Sequence, residues 1–146
     1  MPTFRFRLQR VLDWQERVCR LEEEKLGQRL SELAAVEAHI ARLTAGTAAI
    51  EQGFVQSSEI TPSGLWALGA FRKTAVIERE KLVRNQAERQ AAVAAQRERL
   101  LAEKQRLQVL EKLRERAWSA HLRENNRQLE ALASESYLAK YNASKS

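Results

Sequence analysis

Apolar residues recur at intervals of seven from residue 12 to residue 54, and this repeat limits the possible folds more than any other feature. Six of its seven positions are apolar, and the series reads Leu12, Cys19, Leu26, Leu33, Ile40, Thr47, Phe54. A seven-residue repeat sustained over this length is typical of helices that pair in a left-handed coiled coil. The repeat therefore predicts a first helix over about residues 4–56.

One cluster of turn-forming residues separates this helix from the rest of the chain. It reads QSSEITPSG over residues 56–64 and contains Pro62, one of only two prolines in the sequence. Thr61 or Ser63 can cap a following helix, and Pro62 suits its first turn. We predict a single hinge over about residues 57–63.

The pattern after the hinge is looser but still helical. Val93, Leu100 and Leu107 keep the spacing of seven and predict a second helix over about residues 63–140. A short connection makes neighbouring helices antiparallel. The expected fold class is all-α, a long antiparallel two-helix coiled-coil hairpin in which residues 1–146 form a single coiled-coil domain.

Polar residues interrupt the seams of the predicted coil, the rows of residues along which the two helices would pack. Three residues after the first series, a second series begins with Gln15, Glu22 and Arg29 and becomes apolar only further along the helix. We hypothesise that the first helix here gives up pairing with the second in order to contact another protein. In the second helix the interruptions are Gln86, Gln96 and Glu103, as expected where a seam must set the register of the two helices.

The hinge position also predicts which residues face each other. With the turn near residue 59, Leu8 lies opposite about residue 110, and everything beyond about residue 115 has no partner within the chain. This unpaired part carries an apolar stripe at helical spacing, formed by Trp118, Leu122, Leu129 and Leu132. Such a stripe usually has a partner elsewhere. The segment could also fold back, fray or pair in a homodimer.

Charge and composition restrict the function classes. The net charge is +6, and residues 61–146 carry 17 Lys and Arg against 10 Asp and Glu, which favours acidic partners. No apolar run approaches the roughly 20 residues that cross a bilayer, and no signal-peptide pattern opens the chain, so we expect a cytoplasmic protein. The basic stretch at residues 79–116 is interleaved with glutamates, which argues against nucleic acid as a partner. A basic coiled-coil RNA-binding protein is nevertheless the alternative function from a different class.

No arrangement of residues predicts catalysis. His39 and His121 fall on different helices and at different levels of the predicted hairpin, and no phosphate-binding loop or nucleophile–base pair is visible. We expect no enzymatic activity, no metal, no cofactor and no small-molecule substrate.

Two segments resemble the flagellar FliJ family. The chain opens with the pattern Phe-x-Phe-x-Leu-Gln-x-Val-Leu-Asp at residues 4–13, and the run LEKLRERAWSAHLRENNRQLEALASES covers Leu110–Ser136. The hinge with Trp66 is also similar. The resemblance implies a coil like the central stalk, or gamma subunit, of rotary ATPases, acting in the flagellar type III export apparatus and associated with the membrane only peripherally.

The resemblance also implies partners. The joined chain ends would insert into the hexameric ring of the export ATPase and promote its assembly and activity, another part would contact the export-gate membrane protein, and the protein would escort export chaperones. The expected ring contacts are Phe4, Arg5, Phe6, Arg7, Leu8, Arg10, Arg114, Trp118, Leu122, Arg123 and Leu129. The expected gate contacts, which could equally be packing residues of the hairpin tip, are Leu43, Ile50, Phe54, Trp66 and Phe71. An injectisome stalk of the same shape is the alternative.

Overall fold

The computed structural model describes residues 3–57 and 59–145, and the regular secondary structure of this part of the chain is entirely α-helical. Helix α1 spans Gln9–Val55 and helix α2 spans Pro62–Lys145. The predicted all-α fold is confirmed, because the two helices pack against each other as a hairpin. Ser58, within the predicted hinge, lies outside the described residues.

Helix α1 begins at Gln9, although the sequence pattern placed its start near residue 4. The difference arises in Phe4–Arg7, where aromatic and basic side chains alternate with a period of two that does not suit a helix. A turn ends this segment, since the backbone nitrogen of Gln9 donates to the carbonyl oxygen of Phe6 at 3.1 Å. The side-chain amide of Gln9 then donates to Asp13, one helical turn further on, at 2.9 Å.

Thr61 caps the start of α2. Its side-chain oxygen Oγ1 accepts a hydrogen bond from the backbone nitrogen of Gly64 at 3.1 Å, and its carbonyl oxygen accepts one from Leu65 at 3.0 Å. Pro62, whose nitrogen has no hydrogen to donate, is the first helical residue. The cap and the proline therefore define the start of α2, and α2 continues to Lys145, beyond the expected limit near residue 140.

The helices are organised in two compact units. The terminal unit comprises residues 3–20 and 101–145, and the turn unit comprises residues 21–57 and 59–100. Each unit contains part of α1 and part of α2.

Ion pairs in the turn unit show that the two helices run antiparallel there. Arg72 of α2 contacts Glu51 of α1 at 2.8 Å, whereas Arg89, later in α2, contacts Glu32, earlier in α1, at 2.7 Å. The contacts of the terminal unit follow the same order, since Gln9 contacts Arg114, whereas Gln15, later in α1, contacts Glu103, earlier in α2. The antiparallel pairing thus holds within each unit.

The core of each unit is thin. The buried residues are Leu12, Gln15 and Cys19 in the terminal unit and Ala75, Val93, Gln96 and Leu100 in the turn unit. None of the large side chains described by the structure is fully enclosed. Two helices can cover each other along one seam only, so burial contributes little per residue.

Replacing Thr61 by Ala should lower the free energy of unfolding by about 0.5–2 kcal/mol, because the backbone nitrogen of Gly64 loses its acceptor. Thr74→Ala is the matched control, since the Thr74 hydroxyl only donates back to the carbonyl oxygen of Ala70 inside α2. Urea denaturation followed by circular dichroism measures both. Equal stability of the two variants would contradict the assignment of Thr61 as the cap.

Candidate functional site

A polar pair lies in the seam of the terminal unit. Gln15 is only 4% exposed. Its amide nitrogen Nε2 donates to the backbone oxygen of Glu103 at 3.1 Å and to its carboxylate oxygen Oε2 at 2.6 Å. The other carboxylate oxygen of Glu103 accepts a hydrogen bond from Arg106 at 2.7 Å. The Gln15 amide and both oxygens of the Glu103 carboxylate are therefore satisfied within the unit.

The turn unit contains the same arrangement with the roles of the helices exchanged. Gln96 of α2 is 4% exposed, and its Nε2 donates to the backbone oxygen of Glu22 at 3.1 Å and to the Glu22 carboxylate. The other carboxylate oxygen of Glu22 accepts from Lys25 at 3.2 Å. In both units a buried glutamine thus faces a glutamate that also pairs with a basic residue three positions later.

These pairs correct the hypothesis that Gln15 and Glu22 give up pairing between the helices. Both meet a polar partner on α2, Glu103 and Gln96 respectively, so the polar positions of one seam satisfy those of the other. The hypothesis was wrong because the sequence shows the interruptions of each helix without showing that they meet. Arg29 differs, since it lies on the exposed surface and pairs with Glu32 of its own helix at 3.4 Å.

The surroundings of Glu22 favour its charged form. The hydrogen bond from Gln96 is the largest cause that lowers the pKa of Glu22 below its ordinary value, and Lys25 and Arg99 lower it further. Partial burial acts in the opposite direction but is outweighed.

Phe4 connects the N-terminal segment to α2 in the terminal unit. Its ring meets Trp118 edge-on with 5.0 Å between the ring centroids and lies 5.4 Å from the ring of His121. Trp118 and His121 stack at 5.9 Å, and the guanidinium of Arg114 lies 5.8 Å from the centroid of Phe4. Phe4 therefore packs against the second helix within the terminal unit.

This contact also corrects the expected limit of pairing. The sequence placed that limit near residue 115, but Phe4 reaches Trp118 and His121. The reason is that the residues before Gln9 are not helical, and a non-helical chain can advance about 3.3 Å per residue where a helix advances about 1.5 Å.

Four arginines surround a cavity of about 400 Å³ beside Phe4. The residues that line this arginine cavity are Phe4, Arg5, Phe6, Arg7, Gln9, Arg10 and Arg114. Arg114 is held in place, because its Nε donates to the side-chain oxygen of Gln9 at 3.1 Å. Arg5, Arg7 and Arg10 make no ion pair with any residue that the structure describes. These three guanidinium groups are therefore free of ion pairs within the described chain.

Acidic side chains lie directly beside the arginine cavity. A second cavity of about 360 Å³ shares Gln9 and Arg114 with it and is also lined by Leu12, Glu16, Glu111 and Glu115. These three glutamates form no ion pair within residues 3–57 and 59–145. The sign of the local charge therefore changes across the shared wall formed by Gln9 and Arg114.

An exposed apolar face continues along α2 from the aromatic contact. It consists of Trp118, Leu122, Leu129 and Leu132, which are 45%, 41%, 48% and 59% exposed. At 3.6 residues per turn these four side chains fall within an arc of about 80°. Arg123, also expected at the ring contact, donates to the backbone oxygen of Ser119 at 3.4 Å. The apolar face begins at Trp118, where Phe4 packs.

The residues expected to contact the export gate all lie in the turn unit. Leu43, Phe54 and Phe71 are half-buried, whereas Ile50 is 50% and Trp66 77% exposed. Leu43 lines a groove of about 390 Å³ that is otherwise formed by Thr44, Thr47, Ala48, Glu51, Arg72, Ala75, Val76 and Arg79. Only Ile50 and Trp66 of this set therefore offer a large, freely exposed apolar side chain.

Gln9 and His121 were not among the functional residues expected from the sequence. Gln9 positions Arg114, and His121 completes the ring cluster around Phe4. Helical spacing could have indicated both, because Gln9 precedes Asp13 by four residues and His121 follows Trp118 by three.

No protein-family model, curated protein or solved structure matches this chain. In the described part of the chain, neither helix contains a segment apolar and long enough to span a bilayer.

Because its pKa is lowered in the folded state, Glu22 makes a contribution to the free energy of unfolding that depends on pH. Because the folded state lowers this pKa, the contribution is present above the ordinary glutamate pKa of about 4.3 and is lost as the pH falls through the lower folded value. Gln96→Ala removes the largest cause of the shift, so the Glu22 pKa should rise towards its ordinary value. Carboxyl chemical shifts measured by NMR across an acid titration report this directly.

The control is Gln90→Ala, which changes an exposed residue of the same helix and should leave the titration of Glu22 unchanged. The difference in unfolding free energy between the native chain and Gln96→Ala should shrink below about pH 4. An identical Glu22 titration in all three proteins would contradict the role of Gln96.

Proposed function

We propose that this protein is a non-enzymatic stalk of the flagellar type III export apparatus that inserts its terminal unit into the hexameric ring of the export ATPase. The observation that carries the proposal is the contact between Phe4 and Trp118. Phe4 lines the arginine cavity and Trp118 begins the apolar face, so one aromatic contact joins a charged and an apolar surface. The resemblance of residues 4–13 and Leu110–Ser136 to the FliJ family covers the same two segments.

The chemistry of this surface suits a partner that changes conformation. Arg5, Arg7 and Arg10 are exposed, and long charged side chains can exchange partners at little cost. The apolar face offers half-exposed side chains rather than one deep aromatic anchor of the kind that dominates tight interfaces. A stalk inside a ring that turns over needs contacts of this moderate strength.

Promotion of ring assembly follows from mass action. A stalk that binds the assembled ring, and not the separate subunits, shifts the equilibrium towards the ring by its free energy of binding. The stalk needs no catalytic group of its own for this effect. ATP hydrolysis by the ring rises because more of the ATPase is assembled.

The turn unit supplies the second part of the proposed function. Ile50 and Trp66 are its exposed apolar candidates for contact with the export-gate membrane protein. A protein that holds the ring with one unit and the gate with the other couples the two. In this proposal it works in the cytoplasm, meets the membrane only through the gate, and also escorts export chaperones.

Charge reversal at the arginine cavity tests the ring contact. The variant Arg5→Glu, Arg7→Glu, Arg10→Glu should lose stimulation of the purified export ATPase, because acidic groups of the ring would then be repelled. The control reverses three exposed basic residues of the turn unit, Lys81→Glu, Arg84→Glu and Arg97→Glu, and should stimulate normally. Phosphate release during titration, with ring mass followed by mass photometry, gives both readouts. Normal stimulation by the first variant would show that these arginines do not contribute to the contact with the ring.

Truncation of the apolar face tests its contribution separately. Leu122→Ala, Leu129→Ala and Leu132→Ala together should weaken binding to the ring about tenfold or more, while helicity stays unchanged because Ala favours helix. The control removes three apolar side chains elsewhere on the same helix, through Tyr137→Ala, Leu138→Ala and Tyr141→Ala. Binding is measured by surface plasmon resonance. Equal weakening by both variants would contradict a specific role for the apolar face.

A further inference from the structure

We infer that the arginine cavity binds the carboxylates of a short acidic protein segment, and that Glu16, Glu111 and Glu115 keep extended polyanions out of it. This inference depends on the proposed function only for the assignment of the acidic segment to the ATPase ring. Its physical basis is the juxtaposition, across a shared wall, of arginines and glutamates that form no ion pair within the described residues.

The donor groups of the cavity match carboxylates. Four guanidinium groups line one cavity of about 400 Å³, and each presents planar N–H donors that can bind a carboxylate through two parallel hydrogen bonds. A cavity of this size admits a few side chains rather than a folded surface. The ligand is therefore a short segment with several closely spaced Asp or Glu residues.

Part of the cavity is organised before any ligand arrives. Arg114 donates to Gln9 at 3.1 Å, Gln9 donates to Asp13 at 2.9 Å, and the Arg114 guanidinium also lies over the ring of Phe4. A donor that is already oriented loses less conformational freedom on binding. The Phe4 and Phe6 rings add apolar walls, which strengthen the field that the arginines exert on an acidic group.

The glutamates beside the cavity discriminate against longer anions. A single-stranded nucleic acid needs a continuous basic groove that follows its phosphates. A strand that left the arginine cavity past Arg114 would meet Glu16, Glu111 and Glu115 instead. Repulsion there rejects a long polyanion, whereas a short acidic segment ends before reaching these carboxylates.

Two fluorescent probes test the inference on the full-length protein at moderate salt. One is a short peptide carrying four glutamates, and the other is a single-stranded oligothymidylate that is several times longer. Fluorescence anisotropy should show binding of the peptide and about tenfold weaker binding of the oligonucleotide. Arg5→Gln, Arg7→Gln and Arg10→Gln together should weaken peptide binding about tenfold.

Neutralising the three glutamates beside the cavity should increase the affinity for the oligonucleotide. Glu16→Gln, Glu111→Gln and Glu115→Gln together should tighten oligonucleotide binding about tenfold and leave the affinity for the short peptide nearly unchanged. The matched control neutralises Glu124, Glu130 and Glu135, which lie on α2 away from both cavities, and should change neither affinity. Circular dichroism verifies that all variants keep their helicity.

Absence of peptide binding to the native chain would overturn the inference, and so would either of two further results. One is an oligonucleotide that binds the native chain as tightly as the acidic peptide does, and the other is full peptide affinity in the arginine variant. Peptide binding without any ATPase stimulation would support the acidic-segment site and reject the stalk proposal. Stimulation of the ATPase by a chain that does not bind the peptide would support the stalk proposal and reject the acidic-segment site.

Discussion

The pairing of buried glutamines with glutamates determines which residues of the two helices face each other. Gln15 uses its amide nitrogen on both the backbone and the carboxylate of Glu103, so sliding the helices would leave a buried amide unsatisfied. A slip of one heptad that moved Gln15 to Leu110 would place its amide against an apolar side chain. The arginine cavity and the start of the apolar face both depend on this register within the terminal unit.

A thin seam with polar positions trades stability for specificity. A leucine pair in place of Gln96 and Glu22 would bury more apolar surface, whereas the polar pair tolerates only one alignment. The few buried side chains also leave most charges at the surface. Some of these charges pair with neighbours on the same helix, as Arg127 does with Glu124 at 3.0 Å. The arginines of the cavity differ from other surface charges because four guanidinium groups line one cavity.

One aromatic ring links the two surfaces of the terminal unit. Phe4 forms a wall of the arginine cavity and at the same time packs against Trp118, the first residue of the apolar face. A partner that engages the cavity is thereby placed next to the apolar face. The glutamates on the far side of Arg114 limit which anions can use the cavity. Charge supplies the selection, and the apolar face supplies additional contact area.

The heptad repeat and the cap at Thr61 determined the all-α hairpin and the start of α2, because helix periodicity and capping depend on residues a few positions apart. Tertiary structure alone decided that Gln15 meets Glu103 and that Phe4 reaches His121. These contacts join residues about a hundred positions apart, and they depend on the register of the helices and on how far the chain before α1 extends. Neither quantity is encoded in a local pattern.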